Sequence, residues 1–185
     1  MNQILLIIDA QQELIEGNQE ESAVFQKEQL ITNINLVIEK ASNLKVPIVF
    51  VRDLEVAGGK GKGFQVHEAI NKPKDAKFFD KLATNAFHGT GLLNHLNAQA
   101  IEHVVVMGCA TEHCIDSAVR TATINRLDVT LVGDGHTTTD SAVLSAEQII
   151  KHHNETLHGH YNVENFSIVR NTEEDLFTPT HNSYR

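Results

Sequence analysis

Long apolar runs are missing from this sequence. The longest, residues 4–8, is five residues long, whereas a helix needs about 20 predominantly apolar residues to cross a bilayer. Asn2 and Gln3 also lack the positive charge that opens a secretory signal. We therefore expect no membrane partner and a cytoplasmic location.

Basic residues and cysteines are both scarce. Lys and Arg number 15 against 24 Asp and Glu, which gives a formal net charge of −9. We expect no nucleic-acid partner, because neutralising phosphates needs a concentrated basic face. The two cysteines, Cys109 and Cys114, are too few for a disulfide scaffold. Their presence in a protein that we expect to be cytosolic directs attention to thiol chemistry instead.

Composition is otherwise that of an ordinary globular protein. Hydrophobic residues make up 41% of the 185 residues, which excludes disorder of the whole chain. No internal repeat, low-complexity tract or linker divides the sequence. We therefore expect one domain over residues 1–185.

Hydrophobic patterning predicts an α/β fold. Continuous apolar runs are typical of strands that are buried on both faces of a parallel sheet. The predicted strands are 4–8, 48–51, 104–107, 129–132 and 166–169, with a weaker one at 77–81. Helical spacing over 30–41, 91–98, 115–122 and 142–150 separates most of them. The alternation predicts three layers around a mostly parallel central sheet.

Chemically reactive side chains follow the ends of the predicted strands. Asp9, Asp53 and Lys81 lie at three of these ends, and residues 108–114 and 134–136 follow two others. Open parallel sheets bind ligands at the carboxyl ends of their strands. We therefore expect these groups to gather at one edge of the sheet.

Cys114 is the candidate nucleophile. Thr111 is a predicted N-cap, which places Cys114 at N3 of the following helix. Unpaired N–H groups and the helix dipole there favour a thiolate, so we expect a lowered pKa for Cys114. The same N–H groups could hold an oxyanion. A cysteine packed beneath the sheet is the alternative, and Cys109 is expected to be buried and structural.

Asp9 and Lys81 are open to two interpretations each. Asp9 directly follows an apolar run, where an ionised carboxylate is costly unless it is paired or solvated. It is either the base that takes the thiol proton or an acidic residue at the rim. Lys81 could pair with Asp9 and keep it ionised, but taken alone it is more typical of a solvated surface lysine, and its spacing does not show otherwise.

Three short motifs carry a family resemblance. They are Ile-Ile-Asp-Ala-Gln at 7–11, Lys81 followed by Asn-Ala-Phe-His-Gly-Thr at 85–90, and Gly-Cys-Ala-Thr-Glu-His-Cys at 108–114. In this order and spacing, the sequence over residues 4–134 resembles the isochorismatase-like cysteine hydrolases. The resemblance implies a Rossmann-like fold, a triad of Cys114, Asp9 and Lys81, and a homodimer or homotetramer.

The resemblance also implies how the pocket is built. A non-proline cis peptide between Ala110 and Thr111 would aim backbone N–H groups into an oxyanion hole. Independently of the resemblance, most histidines are expected to be ordinary polar residues, and His88 and His136 are expected near the pocket mouth. The expected substrate-binding residues are Gln11, Leu14, Phe87 and His88.

Departures from the family pattern narrow the expected substrate. Because Cys114 is present, an amide-type carbonyl fits better than the vinyl ether of isochorismate. Nicotinamidases in the family bind a metal with an Asp-x-His pattern, whereas Asp53 is followed here by Leu54 and Glu55, and His67 is the one histidine left in that loop. We therefore expect no metal and no other cofactor. Leu14 replaces an aromatic residue that would stack on a pyridine ring.

The sequence thus predicts a hydrolase that cleaves a C–N bond of a small molecule through a Cys114 thioester, with Asp9 as acid and base and Lys81 as charge partner. Three alternatives stay open. One is a nicotinamidase-type, metal-assisted amidase. Another is a thiol redox protein in which Cys109 resolves an oxidised Cys114. The third is a binding module without catalysis.

Overall fold

The structure, a computed structural model, describes residues 2–185. Seven strands form one sheet. Along the chain they are β1 (Gln3–Ile8), β2 (Ile48–Asp53), β3 (Lys77–Lys81), β4 (His103–Cys109), β5 (Asp128–Thr137), β6 (Tyr161–Asn162) and β7 (Asn165–Arg170). Their order across the sheet is β3-β2-β1-β4-β5-β7-β6. Only β6 runs antiparallel to its neighbour among these described strands, so the predicted mostly parallel sheet is confirmed.

Six α-helices connect the strands. They are α1 (Gln12–Glu16), α2 (Lys27–Asn43), α3 (Gly61–Phe64), α4 (Leu92–Ala98), α5 (Asp116–Ile124) and α6 (Ala146–Leu157). A π-helical turn, Thr111–Ile115, leads from β4 into α5, and 3-10 turns occupy Val56–Gly59 and His181–Ser183. No helix within residues 2–185 is long and apolar enough to cross a membrane.

The three layers follow from the alternation of side chains along the central strands. Leu5 and Ile7 of β1 point to one face, where they share a buried cluster with the apolar side of α2. Ile4 and Leu6 point to the other face, where they pack with residues of α4 and α5. Because both faces are covered, the central strands are apolar throughout. The predicted α/β class is confirmed.

Several strands extend further than the apolar runs predict, and for β4 and β5 this changes where the candidate residues lie. β4 includes Cys109, and β5 continues to Thr137, so residues 134–136 lie within β5 rather than after it. The register between β4 and β5 shifts between Val106 and Gly108, after which Gly108 pairs with His136. Such an irregularity inserts extra residues into one strand, which hydrophobic patterning alone does not detect.

Candidate active site

The carboxyl edge of the sheet brings together three predicted side chains. Asp9 follows β1, Lys81 ends β3, and Cys114 lies in the π-helical turn after β4. Asp9 and Lys81 are buried, at 2% and 1% exposure, and Cys114 is half-buried. Three segments that are distant in sequence thus meet at one place.

The ammonium group of Lys81 joins the cluster. Its Nζ lies 2.9 Å from Asp9 Oδ2 and 3.5 Å from Cys114 Sγ. A third contact, 2.5 Å, reaches Asp53 Oδ2 at the end of β2. Lys81 is therefore a fully buried ion-pair partner and not a solvated surface lysine.

Asp9 offers a free acceptor close to the sulfur. Its Oδ1 is buried and finds no hydrogen-bond partner among residues 2–185. A carboxylate oxygen of Asp9 lies within 4.8 Å of Cys114 Sγ. Unpartnered buried oxygens are uncommon in folded proteins. The Asp9 carboxylate therefore lies beside the Cys114 sulfur, and one of its two oxygens has no hydrogen-bond partner among the described residues.

Burial sets the protonation states of these groups. Desolvation raises the pKa of Asp9 to about 6, although the positive charge of Lys81 acts in the opposite direction. Burial lowers the pKa of Lys81, but the negative charge of Asp9, the Cys114 sulfur and the hydrogen bonds to Asp53 and Asp9 outweigh it and keep that pKa above its usual value. At neutral pH the carboxylate and the ammonium are therefore both charged.

The predicted lowering of the Cys114 pKa is wrong. Burial, followed by the negative charge of Asp9, raises the pKa of Cys114 to about 12. The ammonium of Lys81 lowers it, but by less. The resting group is therefore a thiol, and the sulfur becomes nucleophilic only as a neighbouring base removes its proton.

The turn that carries Cys114 differs from the predicted turn. Ala110 is the N-cap, Thr111 is the first helical residue, and the N–H groups of His113 and Ile115 both donate to the Ala110 carbonyl. The cis peptide joins Cys109 and Ala110, one bond before the expected position between Ala110 and Thr111. Neither bond precedes proline, so residue type does not distinguish them.

A buried histidine fixes Thr111. The Thr111 hydroxyl lies 2.8 Å from His136 Nδ1, and His136 Nε2 lies 2.9 Å from Asn154 Oδ1 of α6. Burial lowers the pKa of His136 to about 4, so the ring is neutral, donates through Nε2 and accepts the Thr111 hydroxyl. The expected place of His136 near the pocket mouth is wrong, because this residue is only 3% exposed.

Cys109 has the surroundings of a structural cysteine. It is fully buried, burial raises the pKa of its thiol, and both cysteines are free. Cys109 belongs to the cluster on the α2 face of the sheet, whereas Cys114 packs against the cluster on the opposite face. This placement is unfavourable for a Cys109–Cys114 disulfide.

The expected substrate-binding residues lie in different environments. Leu14 lines a cavity of about 610 Å³ together with Ala110, which precedes the π-helical turn, and His113, which lies within it. Phe87 packs against the cluster on the α5 face, and His88 is exposed. Of the four, Leu14 is the one that lines this cavity, and the substrate-binding role of all four stays a prediction.

The side chain of Gln11 bonds to the backbone of neighbouring segments and does not face a pocket. It is fully buried, and its Nε2 donates to the carbonyl oxygens of Asp53 and Phe64 at 3.0 and 2.9 Å. Its Oε1 accepts the Asp53 N–H at 2.7 Å. Both amide hydrogens are thus used by the backbone of neighbouring segments, and Gln11 fixes the end of β2.

The residues of this edge do not fit a nicotinamidase-type metal centre. Within residues 2–185, one group of metal-ligating side chains comes together, namely Asp9, Asp53 and Cys114. The ammonium of Lys81 contacts all three and already provides the positive charge. His67 is not in this group, and its ring nitrogens contact Glu16 Oε1 at 3.0 Å and the Ala69 N–H at 3.2 Å.

Sequence reasoning did not detect the role of Asp53 beside Lys81. The two residues are register partners at the ends of β2 and β3, so their side chains meet at the same height of the sheet. The detectable signal was the weak strand at 77–81, which ends on Lys81 as the neighbouring strand ends on Asp53. Without the strand register, the pairing could not be distinguished from two independent rim charges.

Comparison with known families identifies this arrangement. The model of the isochorismatase domain matches residues 3–153. The chain belongs to the isochorismatase family. The family match spans all four clustered residues and the π-helical turn, and the chain is thus a hydrolase of the isochorismatase family, as the resemblance predicts. Comparison with the curated proteins finds none that matches.

Solved structures support the same family. An isochorismatase family protein is 27% identical with a TM-score of 0.82, and the alignment covers 91% of this chain and 98% of that chain. An isochorismatase from Pseudomonas putida KT2440 is 26% identical with a TM-score of 0.81, with coverages of 93% and 89%. N-carbamoylsarcosine amidase from Thermoplasma acidophilum shares the fold, at 20% identity, a TM-score of 0.76 and coverages of 95% and 99%.

Proposed function

We propose that this isochorismatase-family hydrolase cleaves an amide or another C–N bond of a small molecule through a thioester on Cys114. The observation that carries the proposal is the contact of one buried ammonium, Lys81 Nζ, with both Asp9 Oδ2 and Cys114 Sγ. A base, a nucleophile and a balancing charge within reach of one another are the parts that covalent acyl transfer requires.

The first half-reaction transfers the acyl group to sulfur. Asp9 takes the thiol proton as Sγ attacks the carbonyl carbon, because a thiol with a pKa of about 12 is not ionised in advance. The backbone N–H groups of Ala110, Thr111 and Cys114 hold the oxyanion. Asp9 then returns the proton to the nitrogen of the departing amine, and the C–N bond breaks.

The second half-reaction regenerates the thiol. Asp9 removes a proton from water, whose oxygen attacks the thioester carbonyl, and the proton passes to the leaving sulfur. The acid product departs and Cys114 is again a thiol. Lys81 keeps its proton throughout and balances the negative charge that moves between Asp9 and Cys114. No step requires a metal or a redox cofactor.

The experiment that tests this function is a substrate screen. Purified protein is incubated with primary amides and ureido acids, with ammonia release as the readout, and with lactams, with ring opening followed by mass spectrometry. At least one compound is expected to be hydrolysed in a Cys114-dependent manner, without added metal and in the presence of a chelator. Hydrolysis that chelation abolishes would contradict the proposal.

The pH dependence follows from Asp9. Below a pH of about 6 Asp9 is protonated and cannot accept the thiol proton, so kcat/KM is expected to fall about tenfold per pH unit. Above that value the profile is expected to be flat to a pH of about 9, because Lys81 and Cys114 both titrate higher. Rates measured at constant ionic strength test this. An activity that instead rises steadily with alkaline pH would indicate a preformed thiolate as the nucleophile.

A further inference from the structure

Asp53 is held in place by more contacts than a solvated carboxylate at the edge of a sheet requires. Its Oδ1 accepts the N–H of Glu55 at 2.9 Å, and its Oδ2 contacts Lys81 Nζ at 2.5 Å. Gln11 binds both its N–H and its carbonyl oxygen. Both oxygens and both backbone polar groups of Asp53 are therefore occupied, and the carboxylate has a fixed place beside the ammonium.

The ammonium of Lys81 has as many hydrogens as it has partners. A protonated lysine carries three donors, and Nζ contacts Asp9, Asp53 and Cys114. Fixing one donor on Asp53 leaves the other two for the base and the nucleophile. Without the contact to Asp53, the flexible lysine side chain could shift between its partners. Proton transfer depends on fixed positions of the ammonium, the carboxylate and the sulfur, so such a shift would slow it.

We propose that Asp53 is a positioning residue of the reaction, which holds the Lys81 ammonium against both Asp9 and Cys114 and shares its positive charge. The inference rests on the proposed function and adds a fourth residue to it. Asp53 acts through Lys81 and touches no reacting atom. Its neighbours at the edge are the same three residues that carry the chemistry.

Sharing the charge has a consequence for the base. The charged and titratable groups around Asp9 are Lys81 from β3, Asp53 from β2, Cys114 from the π-helical turn and Cys109 from β4. Lys81 lowers the pKa of Asp9, and the negative charge of Asp53 raises it. Without Asp53, the ammonium acts undivided on Asp9 and on the thiol, so both groups lose protons more readily. Asp9 then becomes a weaker base, while Cys114 becomes easier to ionise.

The test variant is Asp53→Asn, which keeps the shape and removes the charge. For the best substrate of the screen, kcat is expected to fall about tenfold or more with little change in KM. The acid limb of the pH profile, which is the fall in rate below a pH of about 6, is expected to move about one pH unit lower. Alkylation of Cys114 by iodoacetamide, followed by peptide mass spectrometry, is expected to become several times faster at neutral pH. A lower turnover together with a more reactive thiol distinguishes charge sharing from structural damage.

Two controls accompany this variant. Asp80→Asn removes the same charge from β3. Asp80 takes no part in the cluster, and its Oδ1 lies 2.8 Å from Arg52 Nε. This variant is expected to leave kcat and the fall in activity at acid pH unchanged. Cys109 serves as an internal reporter of folding, because it is fully buried and alkylates only when the protein opens. Its protection in Asp53→Asn shows that the variant is folded.

The outcomes separate this inference from the proposed function. Suppose that Cys114→Ala is inactive, while folded Asp53→Asn keeps the wild-type kcat, acid limb and alkylation rate. That result overturns the role of Asp53 and leaves the proposed function standing. Full activity in Cys114→Ala removes the proposed function itself. If Asp53→Asn does not fold, Asp53→Glu decides. An acid limb at the wild-type position with kcat lowered severalfold supports positioning, and wild-type kcat overturns it.

Discussion

Cys114→Ala is expected to abolish turnover, with a loss of about 10⁴-fold or more in kcat, because no other group can form the thioester. The fold is expected to persist, since Cys114 is only half-buried and Asp9 and Lys81 remain paired without it. Ammonia release or ring opening with the best substrate gives the rate, and thermal unfolding monitored by circular dichroism checks the fold.

The matched control is the other cysteine. Cys109→Ala leaves a small cavity in the core and is expected to cost roughly 1–2 kcal/mol of unfolding free energy, with kcat near the wild-type value. A redox protein behaves differently, because peroxide would then consume both thiols together and both variants would be inactive. Wild-type turnover in Cys114→Ala would show that the sulfur is not the nucleophile.

Gly108→Ala is expected to destabilise the protein by about 4 kcal/mol or more, or to prevent folding. A Cβ at Gly108 would lie 1.9 Å from the carbonyl oxygen of Ile8 and 2.8 Å from its nitrogen, and φ at this position is +125°. These are backbone atoms of the neighbouring strand β1, paired with Gly108 in the parallel ladder. They cannot move without separating β4 from β1. Urea unfolding measures the loss.

A second glycine provides the comparison for that experiment. Gly159 also has a positive φ, +81°, but an added Cβ there meets no atom within 4 Å. Gly159→Ala is therefore expected to cost only the left-handed backbone conformation, roughly 1–2 kcal/mol. Equal stabilities of the two variants would mean that the close approach of β4 to β1 does not constrain residue 108.

The sheet could be predicted from sequence because burial on both faces leaves continuous apolar runs. Residues 4–8 are the clearest case, and the alternation of Leu5 and Ile4 between two clusters explains why no polar residue interrupts them. β6 (Tyr161–Asn162) escaped prediction because it has two residues, neither of which is buried. It exists through its antiparallel pairing with β7, which no local pattern encodes.

Three members of the candidate site could be predicted from the sequence, but its electrostatics could not. Asp9, Lys81 and Cys114 are set apart by their places at strand ends and by the motifs around them. The protonation state of Cys114 depends on how deeply the folded chain buries it, and here burial outweighs the Lys81 ammonium. Sequence does not give that depth. Nor does it give the strand register that joins Asp53 to Lys81.

The most direct test of the thioester is a partition experiment. Several amides that share one acyl group but differ in their leaving amine are hydrolysed in the presence of hydroxylamine, and the ratio of hydroxamate to acid is measured. A common acyl-sulfur intermediate on Cys114 predicts the same ratio for every amide, because the amine has departed before the nucleophiles compete. A ratio that changes with the leaving amine, or acid formation without any hydroxamate, would contradict a thioester on this cysteine.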